Sequence, residues 1–376
     1  MRLLRLHAQH FRNFELVRLS LSGASHFLVG ANGQGKTNLL EAAGLLGALR
    51  SFRTNETAPL IKQGEPQARI FYEAADASGS PVKIDLTLAT KGKTLLVDGE
   101  RVGRLGDFLG RFPVVVLSSD DNQLLRGSPG ARRRFLDLHL ASIHPGYYEH
   151  LRRYHRALAS RNRLLKVRPW AKPDLAALAS FEEAMAPEAA ALVAARLEEL
   201  QELEPIFAKA YAAFAEAAET PRLSYAPSLD AANTDAEAFR KLWQADRERE
   251  LRTGATGKGP HRDDLGFAVL GRPAREFGSE GQQRSFVIAL RLAQFARMRA
   301  VLGQDPLVLA DDVLGELDPG RRARFWHALE GDPQILATGT SLPKLPSDRA
   351  WSCLSVQNGS FTPLPDPSTV TDADAT

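Results

Sequence analysis

The sequence predicts an α/β fold whose two halves are separated by a mainly helical insertion. The first observation is an apolar strand at residues 26–29 that runs into a glycine-rich loop and then a helix at 36–49. The second is an apolar strand at 307–310 that ends in two acidic residues. The third is the stretch between them, which is rich in alanine, leucine, arginine and glutamate. A chain of 376 residues is long enough for two domains.

The pattern divides the chain into four stretches. Residues 1–112 form the N-terminal half of the α/β fold, with antiparallel strands at 69–74, 82–88 and 95–97 and a hairpin turn at Asp98-Gly99. Residues 113–252 form the inserted lobe, which begins with a strand at 114–117. Eight prolines after that strand, at 129, 145, 169, 173, 187, 205, 221 and 227, are expected to cut the lobe into helices of ordinary length. Residues 253–362 form the C-terminal half, and 363–376 an acidic tail that is expected to be disordered.

Composition excludes several classes of protein. The single cysteine, Cys353, excludes an intrachain disulfide and a site with several thiolate ligands. No stretch approaches the roughly 18 apolar residues of a membrane span, and the N-terminus lacks the apolar region of a signal peptide. We therefore expect a cytoplasmic protein without a membrane partner. The formal charge of +3 is small, so any nucleic-acid surface must come from local clustering of basic residues.

A phosphate-binding loop is predicted after the first strand. The eight residues match the pattern G-x-x-x-x-G-K-[ST]: Gly30, Ala31, Asn32, Gly33, Gln34, Gly35, Lys36 and Thr37. A chance match is the alternative, but the strand before the loop and the helix after it argue against chance. Backbone N–H groups would surround the β-phosphate of ATP, while Lys36 would neutralise the β and γ oxygens. The Thr37 hydroxyl would bind Mg²⁺.

The acidic strand end predicts the rest of the catalytic site. Asp311 would hold Mg²⁺, and Asp312 would orient or deprotonate the attacking water. The next strand, at 336–340, would bring Thr338 to the γ-phosphate. The alternative is a strand end followed by a solvated acidic turn. The glycine-rich loop elsewhere in the chain favours the catalytic interpretation.

The segment Ser279-Glu280-Gly281-Gln282 has two compatible interpretations. It is a capping box that would begin an amphipathic helix, with Gly303 at the end of that helix. It also resembles the signature of ABC-type ATPases, in which this helix terminus meets the γ-phosphate of ATP held by the partner subunit. Ser279, Gly281 and Gln282 are then ATP-binding residues.

Further motifs resemble the RecF family of bacterial recombination mediator ATPases. The residues that carry the resemblance are Phe11-Arg12-Asn13-Phe14, the loop and helix at 33–42, Ser51-Phe52-Arg53-Thr54, Gly127-Ser128-Pro129, the segment at 132–137 and Gly259-Pro260-His261-Arg262-Asp263-Asp264-Leu265. They lie in order along nearly the whole chain. Two positions depart from the family's pattern: Ser119-Asp120-Asp121 replaces its Pro-Glu-Asp, which leaves Gln123 as our candidate nucleotide sensor, and Gly315 replaces its usual serine.

The resemblance implies an ABC/SMC-type ATPase head, with a mixed sheet and an antiparallel β subdomain, that is split in sequence by a helical second lobe. It implies that Arg12 and Asn13 contact ATP. It also implies a homodimer that forms on DNA with ATP, works with RecO and RecR in DNA replication and in recombinational repair of DNA damage, and hydrolyses ATP slowly under stimulation by DNA. The alternative is an SMC-like structural ATPase that organises DNA, which would need a far longer coiled coil.

A basic cluster in the inserted lobe is the predicted DNA surface. Between residues 132 and 168 there are ten arginines or lysines and two acids. A solvated charged face is the usual explanation of such a run, but this excess suits contacts to DNA phosphates. The residues we assign to DNA are Arg132, Arg133, Arg134, Arg152, Arg153, Arg156 and Arg163. The segment 261–264 combines a histidine with acids but lacks the wider ligand set of a metal site, so we interpret it as structural or as a link from ATP to the lobes.

Overall fold

The computed structural model describes residues 1–22, 25–166, 174–214, 219–347 and 349–365. The strands are β1 (Arg2–Phe11), β2 (Phe14–Ser20), β3 (Ser25–Val29), β4 (Gln67–Ala75), β5 (Pro81–Ala89), β6 (Gly92–Val97), β7 (Glu100–Arg101), β8 (Val114–Ser118), β9 (Pro221–Ala226), β10 (Asp264–Val269), β11 (Arg272–Pro273), β12 (Leu307–Asp311), β13 (Ile335–Gly339), β14 (Trp351–Gln357) and β15 (Ser360–Pro363). The helices are α1 (Lys36–Ala48), α2 (Asn122–Arg126), α3 (Pro129–Ile143), α4 (Tyr147–Leu165), α5 (Leu175–Ala212), α6 (Ala236–Thr253), α7 (Ala274–Phe277), α8 (Glu280–Leu302) and α9 (Pro319–Ala328).

These elements form two compact units. The first unit comprises residues 1–121 and the chain from 288 onward, and the second comprises 122–287. Helix α8 begins in the second unit and ends in the first. None of the described helices is long and apolar enough to cross a membrane.

The first unit contains two six-stranded sheets. One has the order β2-β1-β4-β5-β6-β7, and all its neighbours are antiparallel. The other has the order β15-β14-β3-β13-β12-β8 and is parallel except for the β14–β15 hairpin. This mixed architecture is the one predicted for the head. Strand β8, which the sequence analysis places at the start of the inserted lobe, pairs with β12 in this sheet.

Helix α1 packs against both sheets of the first unit. On one side Gly44 and Gly47 lie so close to β12 and β8 that a Cβ at Gly47 would come within 2.8 Å of Val114. On the other side the Tyr72 hydroxyl of β4 donates to the Ala42 carbonyl at 2.7 Å. Residues 39–47 of the helix are all buried. The helix that follows the glycine-rich loop is therefore fixed by the core of the unit.

The second unit is helical around a small antiparallel sheet. That sheet has the order β11-β10-β9, and β9 falls in the stretch for which the sequence predicts only helices after its first strand. Its register pairs Leu265 with Tyr225. The residues of β9 do not show the regular alternation of apolar and polar side chains that predicts a strand. The strand forms by pairing with β10, which lies far along the chain.

The expectation that every proline ends a helix is wrong for α5. This helix has 38 residues and continues through Pro187 and Pro205. An internal proline costs about 3 kcal/mol because it removes one hydrogen bond and crowds the preceding turn. Both prolines are exposed, as are Glu183 and Gln201 four residues earlier, so water can reach the carbonyl oxygens that lose their donors. Buried side chains along the whole helix offset the remaining cost.

The expected acidic tail begins inside an ordered strand. Pro363 is the last residue of β15 and pairs with Leu354. The Leu364 N–H then donates to the Cys353 carbonyl at 2.8 Å. The rest of the predicted tail, residues 366–376, lies outside the described residues.

Candidate nucleotide site and basic surface

The glycine-rich loop lies at the carboxyl edge of the parallel sheet, between β3 and α1. Gly33 and Gly35 have φ values of 81° and 108°, which favour glycine, and a Cβ at Gly30 would come within 2.4 Å of the Val356 carbonyl oxygen. Lys36 is buried, and its Nζ donates to the carbonyl oxygens of Gly30 at 2.6 Å and Ala31 at 3.0 Å. The lysine amine is thus held inside the loop, where a phosphate would meet it.

Two further strands bring oxygen ligands to this loop. The Thr37 hydroxyl donates to Asp311 Oδ1 at 2.9 Å, and the Thr338 hydroxyl donates to the same oxygen at 3.0 Å. Burial raises the pKa of Asp311, while the hydrogen bonds from both threonines act in the opposite direction. The Asp312 N–H donates to the Thr338 hydroxyl at 2.9 Å, and the Asp312 φ of 59° is left-handed. A hydroxyl and a carboxylate in contact are ligands of the kind that Mg²⁺ prefers.

The loop is held on its outer side by residues from the β1–β2 turn. Asn38 Nδ2 donates to Asn13 Oδ1 at 2.7 Å, and a Cβ at Gly35 would lie 3.3 Å from Asn13 Nδ2. Arg12 forms two hydrogen bonds to the buried Glu41, both at 2.7 Å. The structure therefore places Arg12 and Asn13 beside the phosphate loop, while their contact with ATP stays a prediction.

The β14–β15 turn also holds the loop, a contact that the sequence patterns do not predict. The Asn358 N–H donates to Gln34 Oε1 at 2.7 Å, and the Gly359 N–H donates to the Gln34 carbonyl at 2.9 Å. The Asn-Gly dipeptide is a hairpin signal, but nothing local in the sequence connects it with a loop more than three hundred positions earlier.

The predicted capping box is present at the start of α8. The Ser279 N–H donates to Gln282 Oε1 at 2.8 Å, and the Gln282 N–H donates to Ser279 Oγ at 3.2 Å. Gln282 Nε2 also donates to Glu219 Oε1 at 2.7 Å. Helix α8 ends at Leu302, and Gly303 follows with a φ of 64°. Ser279 is exposed in the second unit, so its hydroxyl can meet a molecule from outside that unit.

The predicted DNA residues divide into two groups. Arg132 is buried and forms a bidentate ion pair with Asp264, with both contacts at 2.8 Å, while Arg133 Nη1 donates to the Asp263 carbonyl at 2.7 Å. Arg132 thus does not fit the expectation of a DNA contact, because its guanidinium is committed within the second unit.

The exposed group lies on α4. Arg152, Arg153, Arg156 and Arg163 are all exposed there. Arg152 pairs with Glu149, but such exposed ion pairs are weak and can be exchanged for phosphate contacts. The partly buried Arg134 completes the predicted set.

Comparison with known proteins now gives the family. The sequence model of the RecF/RecN/SMC N terminal domain matches residues 2–341. A protein named DNA replication and repair protein RecF from Synechococcus sp. (strain JA-3-3Ab) is 37% identical, over 96% of this chain and 97% of its own. The protein of the same name from Shouchella clausii (strain KSM-K16) is 34% identical, over 96% of this chain and 98% of its own. The chain belongs to the RecF family.

Solved structures agree with this assignment. A structure of the recombination mediator protein RecF-ATPrS in the RecFOR pathway matches 96% of this chain and 98% of its own, with a TM-score of 0.87 and 28% identity. An Smc head bound to the C-winged helix domain of ScpA matches 97% of this chain and 98% of its own, with a TM-score of 0.53 and 15% identity. The second likeness concerns the fold alone. The ABC/SMC-type head predicted from the sequence is confirmed.

The RecF-like segment 259–265 takes part in a network of hydrogen bonds within the second unit. His261 Nε2 faces the Thr256 carbonyl oxygen at 3.1 Å and must donate to it, so Nδ1 accepts from the Tyr154 hydroxyl at 2.7 Å. Burial lowers the pKa of His261 to about 4. Asp263 is buried and accepts from the Tyr225 hydroxyl and from Ser228. Both histidine nitrogens are occupied, which agrees with a structural role and not with metal binding.

Proposed function

We propose that this RecF-family protein is an ATP-dependent clamp on DNA. In this proposal it dimerises on gapped or junction DNA during replication and recombinational repair, and it helps RecO and RecR to load the recombinase. The observation that carries the proposal is the contact of Thr37 and Thr338 with one Asp311 oxygen beside the phosphate loop. A magnesium site next to a polyphosphate cradle is the minimal equipment of an ATPase.

Each residue of the site has a defined task in the proposed reaction. Lys36 gives up its two loop carbonyls and binds the β- and γ-phosphate oxygens of ATP. Thr37 and Asp311 would hold Mg²⁺, which would supply positive charge to the phosphates. Asp312 accepts a proton from the attacking water, and the Thr338 hydroxyl holds the Asp311 carboxylate and the backbone N–H of Asp312.

Dimerisation follows from the placement of the signature. Ser279 is exposed and Gly281 is partly exposed at the N-terminus of α8, and a helix N-terminus favours an anion, so they suit the γ-phosphate of ATP bound to a second copy of the chain. Two ATP molecules would then join the subunits. Hydrolysis and phosphate loss would remove the joining charge, so a slow, DNA-stimulated ATPase would time release from DNA.

The exposed arginines of α4 supply the DNA surface in this proposal. Contacts to phosphates give affinity without reading sequence, which suits a protein that acts at many sites. An SMC-like DNA-organising ATPase is the alternative. It would need a long coiled coil, and the longest helix among the described residues has 38.

The direct test follows nucleotide, dimer and DNA together. ATP affinity measured by calorimetry should be lost in Lys36→Ala and kept in Lys91→Ala, which alters an exposed turn lysine of the same unit. The Asp312→Asn variant keeps the shape of the side chain and the metal ligand Asp311 but removes the proposed base. It should bind ATP normally, hydrolyse it slowly and stay on gapped DNA after free ATP is withdrawn. Release of this variant as fast as the parent protein would refute the timer.

A further inference from the structure

Helix α1 carries a carboxylate in the core of the first unit. Glu41 has no exposed surface, and it follows Thr37 by four residues, so both side chains lie on one face of the helix. Taking a charge out of water is costly unless it is paired and hydrogen-bonded. The site must therefore be organised around this carboxylate.

Three groups from two other segments converge on Glu41. Arg12 Nε donates to Oε2 and Arg12 Nη2 donates to Oε1, both at 2.7 Å. The Ser51 hydroxyl also donates to Oε1. Arg53 Nη1 lies 3.6 Å from Oε2. One carboxylate thus joins the β1–β2 turn, helix α1 and the segment that follows α1.

The two arginines are held differently. Arg12 has a bidentate pair, a third bond to the Pro59 carbonyl at 2.9 Å and a left-handed φ of 54°, so it is a fixed partner. Arg53 has a longer contact with Glu41, and 37% of its side chain is exposed. Two guanidiniums share one carboxylate, and within the described residues neither has a second acidic partner in ion-pair range. The group therefore has one positive charge in excess.

The excess charge lies beside the phosphate loop. Arg53 Nη1 donates to Asn38 Oδ1 at 3.0 Å, and Asn38 follows Thr37 directly in α1. Arg53 thus lies beside the turn of α1 that carries Thr37.

We propose that Glu41 is a positioning residue for ATP hydrolysis, which holds the Arg53 guanidinium towards the reacting phosphate end of the site. This inference rests on the proposed function. Without the carboxylate the like charges of Arg12 and Arg53 repel each other, and the exposed Arg53 turns towards solvent. A displacement of about 1 Å at a reacting group can cost about 100-fold in rate.

The test separates rate from affinity. The Glu41→Gln variant keeps the size of the side chain and an acceptor for Ser51 but lacks the charge. We expect kcat for ATP to fall about 10- to 100-fold. We expect KM to change less than about threefold, because Lys36 and the loop backbone still bind the phosphates. The matched control is Glu56→Gln, which makes the same change at an exposed carboxylate of the same unit and should keep kcat within about threefold. An unchanged kcat in Glu41→Gln overturns the proposal.

A double-mutant cycle shows whether Glu41 acts through Arg53. The Arg53→Gln variant should lose kcat to a similar extent, and adding Glu41→Gln to it should cause little further loss. Losses that multiply in the double variant would mean an independent structural role and would overturn the inference. If Glu41→Gln does not fold, Glu41→Asp keeps the charge but withdraws it by one methylene. This variant should lose kcat at constant KM, and parental kcat in it overturns the inference as well.

The parent protein distinguishes this inference from the proposed function. Absence of ATP binding by the parent would refute the proposed function itself. Binding and hydrolysis by the parent, together with parental kcat in Glu41→Gln, would refute only the role of Glu41.

Discussion

The neutral, buried His261 predicts a specific loss of stability in mild acid. Its pKa is lowered to about 4 by burial, from 6.5 in an exposed histidine. At pH 7 the imidazole is neutral in the folded and the unfolded chain, so it contributes no pH dependence there. Below pH 6.5 His261 is protonated in the unfolded chain, whereas in the folded chain it stays neutral until the pH approaches 4. The free energy of unfolding therefore decreases as the pH falls from 6.5 towards 4.

The size of this loss follows from the two pKa values. Each unit of pH between them costs about 1.4 kcal/mol, so the loss at pH 5 is about 2 kcal/mol. His261 lies in the second unit, residues 122–287, and for a domain of that size a loss of about 2 kcal/mol corresponds to about 4–8 °C in Tm. The His261→Gln variant removes the titrating group. Its amide can still accept from Tyr154 and donate to the Thr256 carbonyl, so we expect a cost of only about 1 kcal/mol at pH 7.

Thermal unfolding at pH 7 and pH 5 tests this reasoning. All other groups titrate alike in the parent and the variant, so the difference between their two losses of Tm isolates His261. The parent should lose about 4–8 °C more than His261→Gln on going to pH 5. Equal losses in the two proteins would mean that His261 is not kept neutral by its burial.

Three further changes give clear expectations. Ser279→Arg should leave ATP binding by the monomer intact but prevent ATP-driven dimerisation in light scattering, since the serine would meet ATP only across the dimer. If the variant still dimerises with ATP, Ser279 only caps helix α8. Replacing Arg156 and Arg163 by glutamate should weaken DNA binding and reduce the slope of log affinity against log salt by about 0.9 for each lost phosphate contact, and an unchanged slope would place the DNA surface elsewhere. Gly47→Ala should lower the free energy of unfolding by about 1–3 kcal/mol in denaturant titration, because its Cβ would come within 2.8 Å of a valine in β8, whereas parental stability would show that the helix can shift away.

The parts of the site that the sequence predicts are those with local chemistry. A phosphate loop needs glycines at left-handed positions and a lysine at its end, and Gly33, Gly35 and Lys36 satisfy this within one short segment. The capping box at Ser279 and the hairpin turn at Asp98-Gly99 are also local, and both are present. Each depends on a few neighbouring residues, so a single sequence contains the necessary information.

The parts that the sequence does not predict depend on packing between distant segments. Nothing near Pro187 or Pro205 indicates that α5 continues through them, because their exposure is decided by the packing of the whole unit. The same holds for β9, which becomes a strand only through its partner β10. Buried arginines such as Arg132 cannot be told from exposed ones by counting charges.

Glu41 shows that packing between distant segments, which the sequence does not predict, can also affect function. In the sequence it is one acid in a helix after the phosphate loop, where a solvated position would be the ordinary expectation. The role of Glu41 depends on Arg12, which precedes it in the sequence, and on Arg53, which follows it. Both arginines contact its carboxylate, which has no exposed surface. Because an uncompensated charge in the core is so costly, this meeting must be specified as strictly as the hydrophobic packing around it. The geometry of the phosphate site is therefore determined partly by the core of the unit, and a change at a residue that need not touch ATP can alter hydrolysis.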